Sequence, residues 1–229
     1  MGFAEFAIGP AGGRTLNRSR AGDADTDTDL AAALVRLVPA GVLIGHRRIA
    51  MGDEHALLQA EAVSFARCAP KVRRRSGGAR IVARELLRAL GEPSAALPRS
   101  ASGPPVWPSG IVGSMAHDDE VAVAAVARSG RIRSLGVDIE PADTLPRELV
   151  AIVATATERA RYSAAVLESR ILFCVKEAVF KALYPLCGLF LDFHDIEIEF
   201  DAGLARVRHG HSARIAFIEA PSVVALAVI

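Results

Sequence analysis

An excess of charge of either sign is missing from this chain: 27 Lys and Arg stand against 26 Asp and Glu, for a formal net charge of +1. That balance argues against bulk attraction to nucleic acid or to an anionic membrane, so any such binding would need a local patch. Cysteine is scarce as well. Cys68, Cys174 and Cys187 are odd in number and show no metal-ligand spacing, as expected of reduced thiols in cytosol. No stretch reaches the roughly 18 apolar residues of a membrane span, and the N-terminus lacks the basic start and apolar core of a signal peptide. The expectation is a soluble, cytoplasmic protein. Also missing are the phosphate loops GxxxxGK[ST] and GxGxxG, which excludes a P-loop or Rossmann reader.

What is present is an ordinary globular composition, 51% hydrophobic and 23% charged over 229 residues, enough for one large domain or two modest ones. Residues 1–30 hold Gly, Arg, Ser and "DADTDTD" without hydrophobic period and read as a loose extension. The alternating aspartates are spaced like the start of a calcium loop, but the glycine and closing glutamate that such a loop requires are absent. "VRLVPAGVLIGHRRI" reads as a first strand region. "GDEHALLQAEAVSFARCA" reads as a helix that Pro70 ends, and "KVRRRSGGARIVARELLRALG" as a second helix closed by Gly91. A Pro- and Gly-rich loop with Trp107 follows, then the Gly-Ser stretch "IVGSMAHDDE". "VAVAAVA" predicts a buried strand, "RSGR" a tight turn and "IRSLGVDIE" the returning strand. Helices fill 145–183, and "DIEIEF", "ARIAFIE" and "VVALAVI" are the last strands. Each half thus reads as helices plus antiparallel strands, an α+β protein of two lobes, residues 31–133 and 134–229.

Two stretches concentrate charge among apolar residues. In "ILFCVKEAVFKALYP", a helical period puts Ile171, Leu172, Val175, Val179, Ala182 and Leu183 on one face, with Glu177 and Lys181 together on the opposite flank and Lys176 between. A solvated i,i+4 pair would explain that strip; so would a helix wall facing a cleft with a charged ligand. In "GVDIEP", a strand period of two turns Val137 and Ile139 to one side and Asp138 and Glu140 to the other. Two carboxylates roughly 7 Å apart on one strand face repel unless solvated or bridged by a cation, and a hard divalent ion such as Mg²⁺ is the natural bridge. Glu177 could complete such a site, and Lys176 and Lys181 could face phosphate oxygens. The basic run Lys71, Arg73, Arg74, Arg75 and Arg80 could hold another phosphate, a combination suited to phosphoryl transfer.

The order "PVWPSGIVGSMAH", "GVDIEP", "FCVKEAVFKALYP" resembles the 4′-phosphopantetheinyl transferase superfamily of the surfactin and enterobactin synthase type, from about residue 35 onward. The resemblance implies two pseudo-twofold lobes, each an antiparallel sheet packed with helices, with the active site in the cleft between them. It implies transfer of the phosphopantetheine arm of coenzyme A to a serine of an apo acyl or peptidyl carrier protein, with 3′,5′-ADP as leaving group, by a monomer that needs neither nucleic acid nor membrane. Asp138, Glu140 and Glu177 would hold Mg²⁺, or Mn²⁺. Lys181 would contact the attacked phosphate and Lys176 the pyrophosphate. Ser114 and His117 would bind coenzyme A phosphates, and Arg80 the nucleotide end, with Arg73 or Arg74 assisting. Glu177, or a metal-bound water that Glu140 orients, would take the serine proton. "RSGGAR" departs from the family's "E-F-x-x-G-R" by Arg75, Ser76 and Ala79, and Phe173 replaces a frequent Trp. Two alternatives stay open: a catalytically silent coenzyme A or carrier-binding module, and a metal-dependent hydrolase of nucleotide pyrophosphates. His194, His209 and His211 read as structural, Trp107 as a packing anchor, Cys174 as a buried small hydrophobe, and Tyr184 and Pro185 as the helix end. The pathway served is not legible.

Overall fold

The structure, a computed structural model, describes residues 22–93 and 95–229, and the side chains of 22–26 and 209 are not among those described. The stretch 1–21, expected to be loose, lies outside the described residues. The remainder of that expectation is corrected. Helix α1, Gly22–Leu37, begins within it, because Leu30, Ala33, Leu34 and Leu37 form a buried stripe at helical spacing. Asp27 Oδ1 of this helix lies 2.9 Å from His46 Nε2.

Two antiparallel sheets carry the fold. The first orders β1 (Val42–Arg48), β3 (Val121–Arg128) and β2 (Ile111–His117) as β1-β3-β2. The second contains β4 (Leu135–Pro141), β5 (Ile196–Glu199), β6 (Leu204–Val207), β7 (His211–Ile218) and β8 (Ser222–Val228), in the order β4-β8-β7-β6-β5. Helices pack on both, so the class is α+β. The expected return of β3 into β4 is corrected: β3 already has β1 and β2 on its two edges, and β4 pairs instead with β8, Asp138 opposite Ala225 and Glu140 opposite Val223. β2 and β4 lie against each other where the sheets meet. α1 crosses that seam, since Leu30, Leu34 and Leu37 share one core with Val123 and Ala125 of the first sheet and Val137, Ile139 and Leu226 of the second.

The other helices are α2 (Gln59–Phe65), α3 (Pro70–Ala89), α4 (Arg147–Val153), α5 (Ala156–Arg161), α6 (Ala164–Leu167) and α7 (Ile171–Cys187). Pro70 does not end a helix but opens α3 as its first residue, where a missing N–H costs nothing. Gly91, at φ 80°, closes α3 with Gly91 N–H donating to Arg88 O and Glu92 N–H to Leu87 O. Pro185 lies inside the last turn of α7, contrary to expectation. Gly188, at φ 63°, ends that helix by donating its N–H to Tyr184 O.

Each sheet is locked to its long helix by the same device. Glu61 is fully buried, accepting from Leu58 N, Arg84 Nη1 of α3 and Leu97 N, each at 2.8 Å. Glu158 repeats the pattern: it accepts from Thr155 N at 2.8 Å, Lys176 Nζ of α7 at 2.7 Å and Ile198 N at 2.8 Å. Both glutamates accept from the N-cap N–H of a short helix, Glu158 in a full capping box with Thr155, while neutralising a cation from a long helix. Lys176 also donates to Val153 O at 2.8 Å and Phe193 O at 2.9 Å, so its three protons are all engaged. It is 0% exposed. This corrects the expectation that Lys176 supports a pyrophosphate: no donor remains for one.

α7 lies on β4 at backbone distance. A Cβ built on Gly136 would stand 2.0 Å from Ala178 O and 2.6 Å from Ala182 N, so only glycine fits. Two outcomes are expected in urea unfolding. Gly136→Ala should lose at least about 3 kcal/mol by overpacking, whereas Gly45→Ala, whose Cβ meets only side chains, Val82 at 3.3 Å and Leu86 at 3.4 Å, should change stability by about 1 kcal/mol or less. Lys176→Ala should cost about 3–5 kcal/mol by leaving the Glu158 carboxylate buried without its cation.

Candidate active site

The alternation on β4 puts Gly136, Asp138 and Glu140 on one face, which α7 covers, and Val137 and Ile139 in the core beneath α1. The close approach at Gly136 brings the next turn of α7 over Asp138. Lys181 Nζ donates to Asp138 Oδ1 at 2.6 Å and to Val137 O at 3.3 Å. Asp138 is 6% exposed, and its second oxygen, Oδ2, is buried without a hydrogen-bond partner. Burial disfavours the Lys181 charge, but Asp138 and Glu177 outweigh it and raise its pKa.

Asp138 is felt by both glutamates. Burial, then the Asp138 charge, pushes the Glu140 carboxyl up to about 7, against the opposing pull of Arg170. The same two causes in the same order raise Glu177 well above the usual carboxylate range. The strand pair and the helix glutamate expected from the sequence are therefore one electrostatic unit. They do not form a closed cage: among the described residues no group of three His, Cys, Asp or Glu side chains is set to hold a metal ion. The physical reason is that cations of the chain itself hold two of them, Lys181 on Asp138 and Arg170 on Glu140, the latter at 2.9 Å. All-oxygen donors with an unpartnered buried Oδ2 fit a hard divalent cation. Arg170 had no signal in the sequence. It is one charge just before an apolar helix, and only folding sets it against β4.

His117 ends β2 on the face toward α3. Burial, then the charges of Lys181 and Arg75, lower its pKa to about 4, and its Nδ1 is buried without a partner. Arg73 and Arg75 each carry a buried Nε without a partner as well, although the tip of Arg75 meets Asp119. Arg75, read from the sequence as a departure from family pattern, is thus the α3 cation acting on His117.

Three expected phosphate contacts are corrected. Ser114 is three residues from His117, so a strand turns the two to opposite faces, and Ser114 is buried on the side of Ala116, in the core beneath α1. Arg74 is committed to Glu54 at 3.0 Å. Arg80 is 4% exposed inside the first lobe: it donates to Leu97 O at 3.0 Å and Ser76 O at 3.2 Å, and its guanidinium stacks on Phe65. It serves the same helix-to-sheet lock as Arg84. His194 Nε2 donates to Ala151 O at 3.2 Å, and Trp107 packs its ring over Gly113. His211 is exposed, and the His209 side chain lies outside those described.

A neutral, half-buried His117 contributes a pH slope of known sign. Its folded pKa lies below the unfolded value, so stability is complete above pH 6.5 and falls as the pH drops from there toward 4, by at most about 3 kcal/mol. Glu140 and Glu177 work in the opposite direction over an overlapping window, since a raised carboxyl pKa favours the folded state as pH falls. The difference between the wild-type protein and His117→Gln isolates the histidine. The urea midpoint of the wild type relative to that of the variant should decline as the pH drops from 7 to 4.

No helix among the described residues is long and apolar enough to cross a membrane. A family model for the 4′-phosphopantetheinyl transferase N-terminal domain matches residues 59–127, and one for the 4′-phosphopantetheinyl transferase superfamily matches residues 134–224. The chain is 41% identical over 145 residues to the 4′-phosphopantetheinyl transferase Npt of Nocardia iowensis, covering 62% of this chain and 65% of that one. To the 4′-phosphopantetheinyl transferase Svp of Streptomyces mobaraensis it is 42% identical over 151 residues, covering 63% of this chain and 61% of the relative. To PptT of Mycobacterium tuberculosis it is 39% identical over 148 residues, with coverages of 63% and 65%. The matches thus span less than two thirds of each of these relatives' length. The boundary between the two family models falls where the chain passes from the first sheet to the second, between Arg128 at the end of β3 and Leu135 at the start of β4, and the charged face of β4 and α7 lies within the second. By these matches the chain belongs to the 4′-phosphopantetheinyl transferase superfamily.

Proposed function

We propose that this chain transfers the 4′-phosphopantetheine arm of coenzyme A to a serine of an apo acyl or peptidyl carrier protein, with 3′,5′-ADP leaving. The observation that carries the reading is the Asp138–Lys181 contact at 2.6 Å, with Glu140 and Glu177 both feeling the Asp138 charge, inside the segment that the superfamily matches. The names of the three relatives support it. In this reading residues 134–229 supply the reacting groups and residues 31–133 the nucleotide end. One chain holds every group invoked, so a monomer suffices.

Asp138, Glu140 and Glu177 would hold Mg²⁺ or Mn²⁺, both of which accept oxygen ligands. A divalent ion there would offset pyrophosphate charge and ease departure of the nucleotide. Lys181, one turn beyond Glu177 on α7, directs its ammonium to the attacked β-phosphate. The unpartnered Nδ1 of His117 and Nε atoms of Arg73 and Arg75 are free hydrogen-bonding groups for the remaining phosphates. Glu177, whose pKa burial and Asp138 have moved toward neutrality, accepts the serine hydroxyl proton. The serine Oγ–P bond forms as the bond from that phosphorus to the bridging oxygen breaks, and the electron pair leaves with 3′,5′-ADP.

The test is mass spectrometry of apo carrier proteins from several pathway types after incubation with the protein, coenzyme A and Mg²⁺. A mass gain equal to the phosphopantetheine arm is expected, and Asp138→Ala should slow it at least ~100-fold with an unchanged fold by circular dichroism. No gain on any carrier overturns the reading. Release of free phosphopantetheine without carrier would point to pyrophosphate hydrolysis instead.

A further inference from the structure

Arg170 stands at the start of α7 with its side chain 11% exposed, and it reaches two carboxylates at once. Its Nη1 donates to Glu140 Oε2 at 2.9 Å, and its Nε meets Asp143 Oδ1. Both partners are held in place from outside. Glu140 is paired into β4, opposite Val223 of β8. The loop after β4 is fastened to the segment before α7 by the Thr144–Ser169 bridge, by Leu145 N–H donating to Glu168 O at 2.6 Å and by Arg147 against Glu168 at 3.2 Å. The guanidinium therefore sits at a fixed fork, with one carboxylate facing the charged cluster and the other 59% exposed outside it.

This arrangement has a consequence for ion binding, and it rests on the cation site read under Proposed function. Arg170 on Glu140 and Lys181 on Asp138 place two single positive charges against two of the three carboxylates. A divalent ion brings the same total charge to the same oxygens. Among the described residues Lys181 pairs within ion-pair distance with Asp138, whereas Arg170 pairs with both Glu140 and Asp143. A planar guanidinium can keep one of two carboxylates while releasing the other, which an ammonium point charge does less well.

We propose that Arg170 is a built-in competitor for the divalent-cation site, holding Glu140 in the ion-free protein and falling back on Asp143 when an ion binds. It is a positioning residue: it touches neither cofactor nor substrate, and it acts through the orientation and availability of Glu140.

The proposal makes predictions of opposite sign for two neighbours. Arg170→Gln removes the competing charge and should tighten Mn²⁺ binding at least threefold. Asp143→Asn removes the fallback partner, commits the guanidinium to Glu140 and should weaken Mn²⁺ binding at least threefold. Arg170→Lys, unable to bridge both carboxylates, should fall between Arg170→Gln and the wild type. The readout is free Mn²⁺ by electron paramagnetic resonance, titrated into the full chain with and without coenzyme A, with urea unfolding of each metal-free variant alongside. A purely structural Arg170 would weaken binding in both Arg170→Gln and Asp143→Asn, in step with lost stability, and that result overturns the proposal. So does unchanged affinity in both variants when the wild type binds Mn²⁺, an outcome that leaves the cation site standing. If the wild type binds no Mn²⁺ in either condition, the cation-site reading fails and this inference with it. Should Arg170→Gln not fold, Arg170→Lys with Asp143→Asn decides on the same signs.

Discussion

The contact of α7 with β4 at Gly136 is the constraint on which the rest of the charged cluster depends. Because a helix backbone lies where a Cβ would otherwise be, Lys181 is delivered onto Asp138 two residues along the strand. Glu177, one turn earlier, is brought within the field of the same aspartate. A side chain at 136 would lift the helix, and a shift of even an ångström would separate charges whose interaction depends on burial and short distance. Packing of small residues, more than any property of the acids themselves, makes a cluster from two distant pieces of chain.

That packing tolerates little relaxation because each lobe is held by a buried carboxylate with every acceptor occupied. Glu61 and Glu158 each cap a short helix, bind a cation from the long one and take an N–H from a later segment. Burying such charges is costly unless all hydrogen-bonding capacity is met, and here it is met by groups from three places in sequence. The two lobes thus share a stabilising device as well as an antiparallel layout. Among the described residues, buried polar atoms without a partner include Asp138 Oδ2 of β4, His117 Nδ1 of β2 and the Nε atoms of Arg73 and Arg75 of α3.

How far the site was legible varies by residue for physical reasons. Asp138 and Glu140 were readable because strand alternation is strict, and Glu177 with Lys181 because i,i+4 neighbours share a helix face. Lys176 was misread because a helical wheel places a charge between faces without showing what the core offers it; Glu158 and two carbonyls were waiting there. Arg80 was misread for the same reason. Ser114 was paired with His117 only through the family resemblance, and period two turns them to opposite faces of β2. The strand after "RSGR" reads as returning beside β3 because local pattern carries no record of which edges are already taken. α1 was missed in part because its acidic leading half dilutes a good apolar stripe.

By itself, the order of residues determined the elements with strong periodicity, the α+β class, the acids of the β4 face and the charged strip of α7, since alternation and helical spacing act over a few residues. Tertiary structure decided what each charge is set against. Lys176 and Arg80 are closed into a core and Arg74 is held by Glu54, while Arg75 lies near enough to His117 to lower its pKa and Arg170 holds Glu140. The reason is that a charge's role depends on what neutralises it, and for a buried charge that partner comes from distant chain, which no local pattern records.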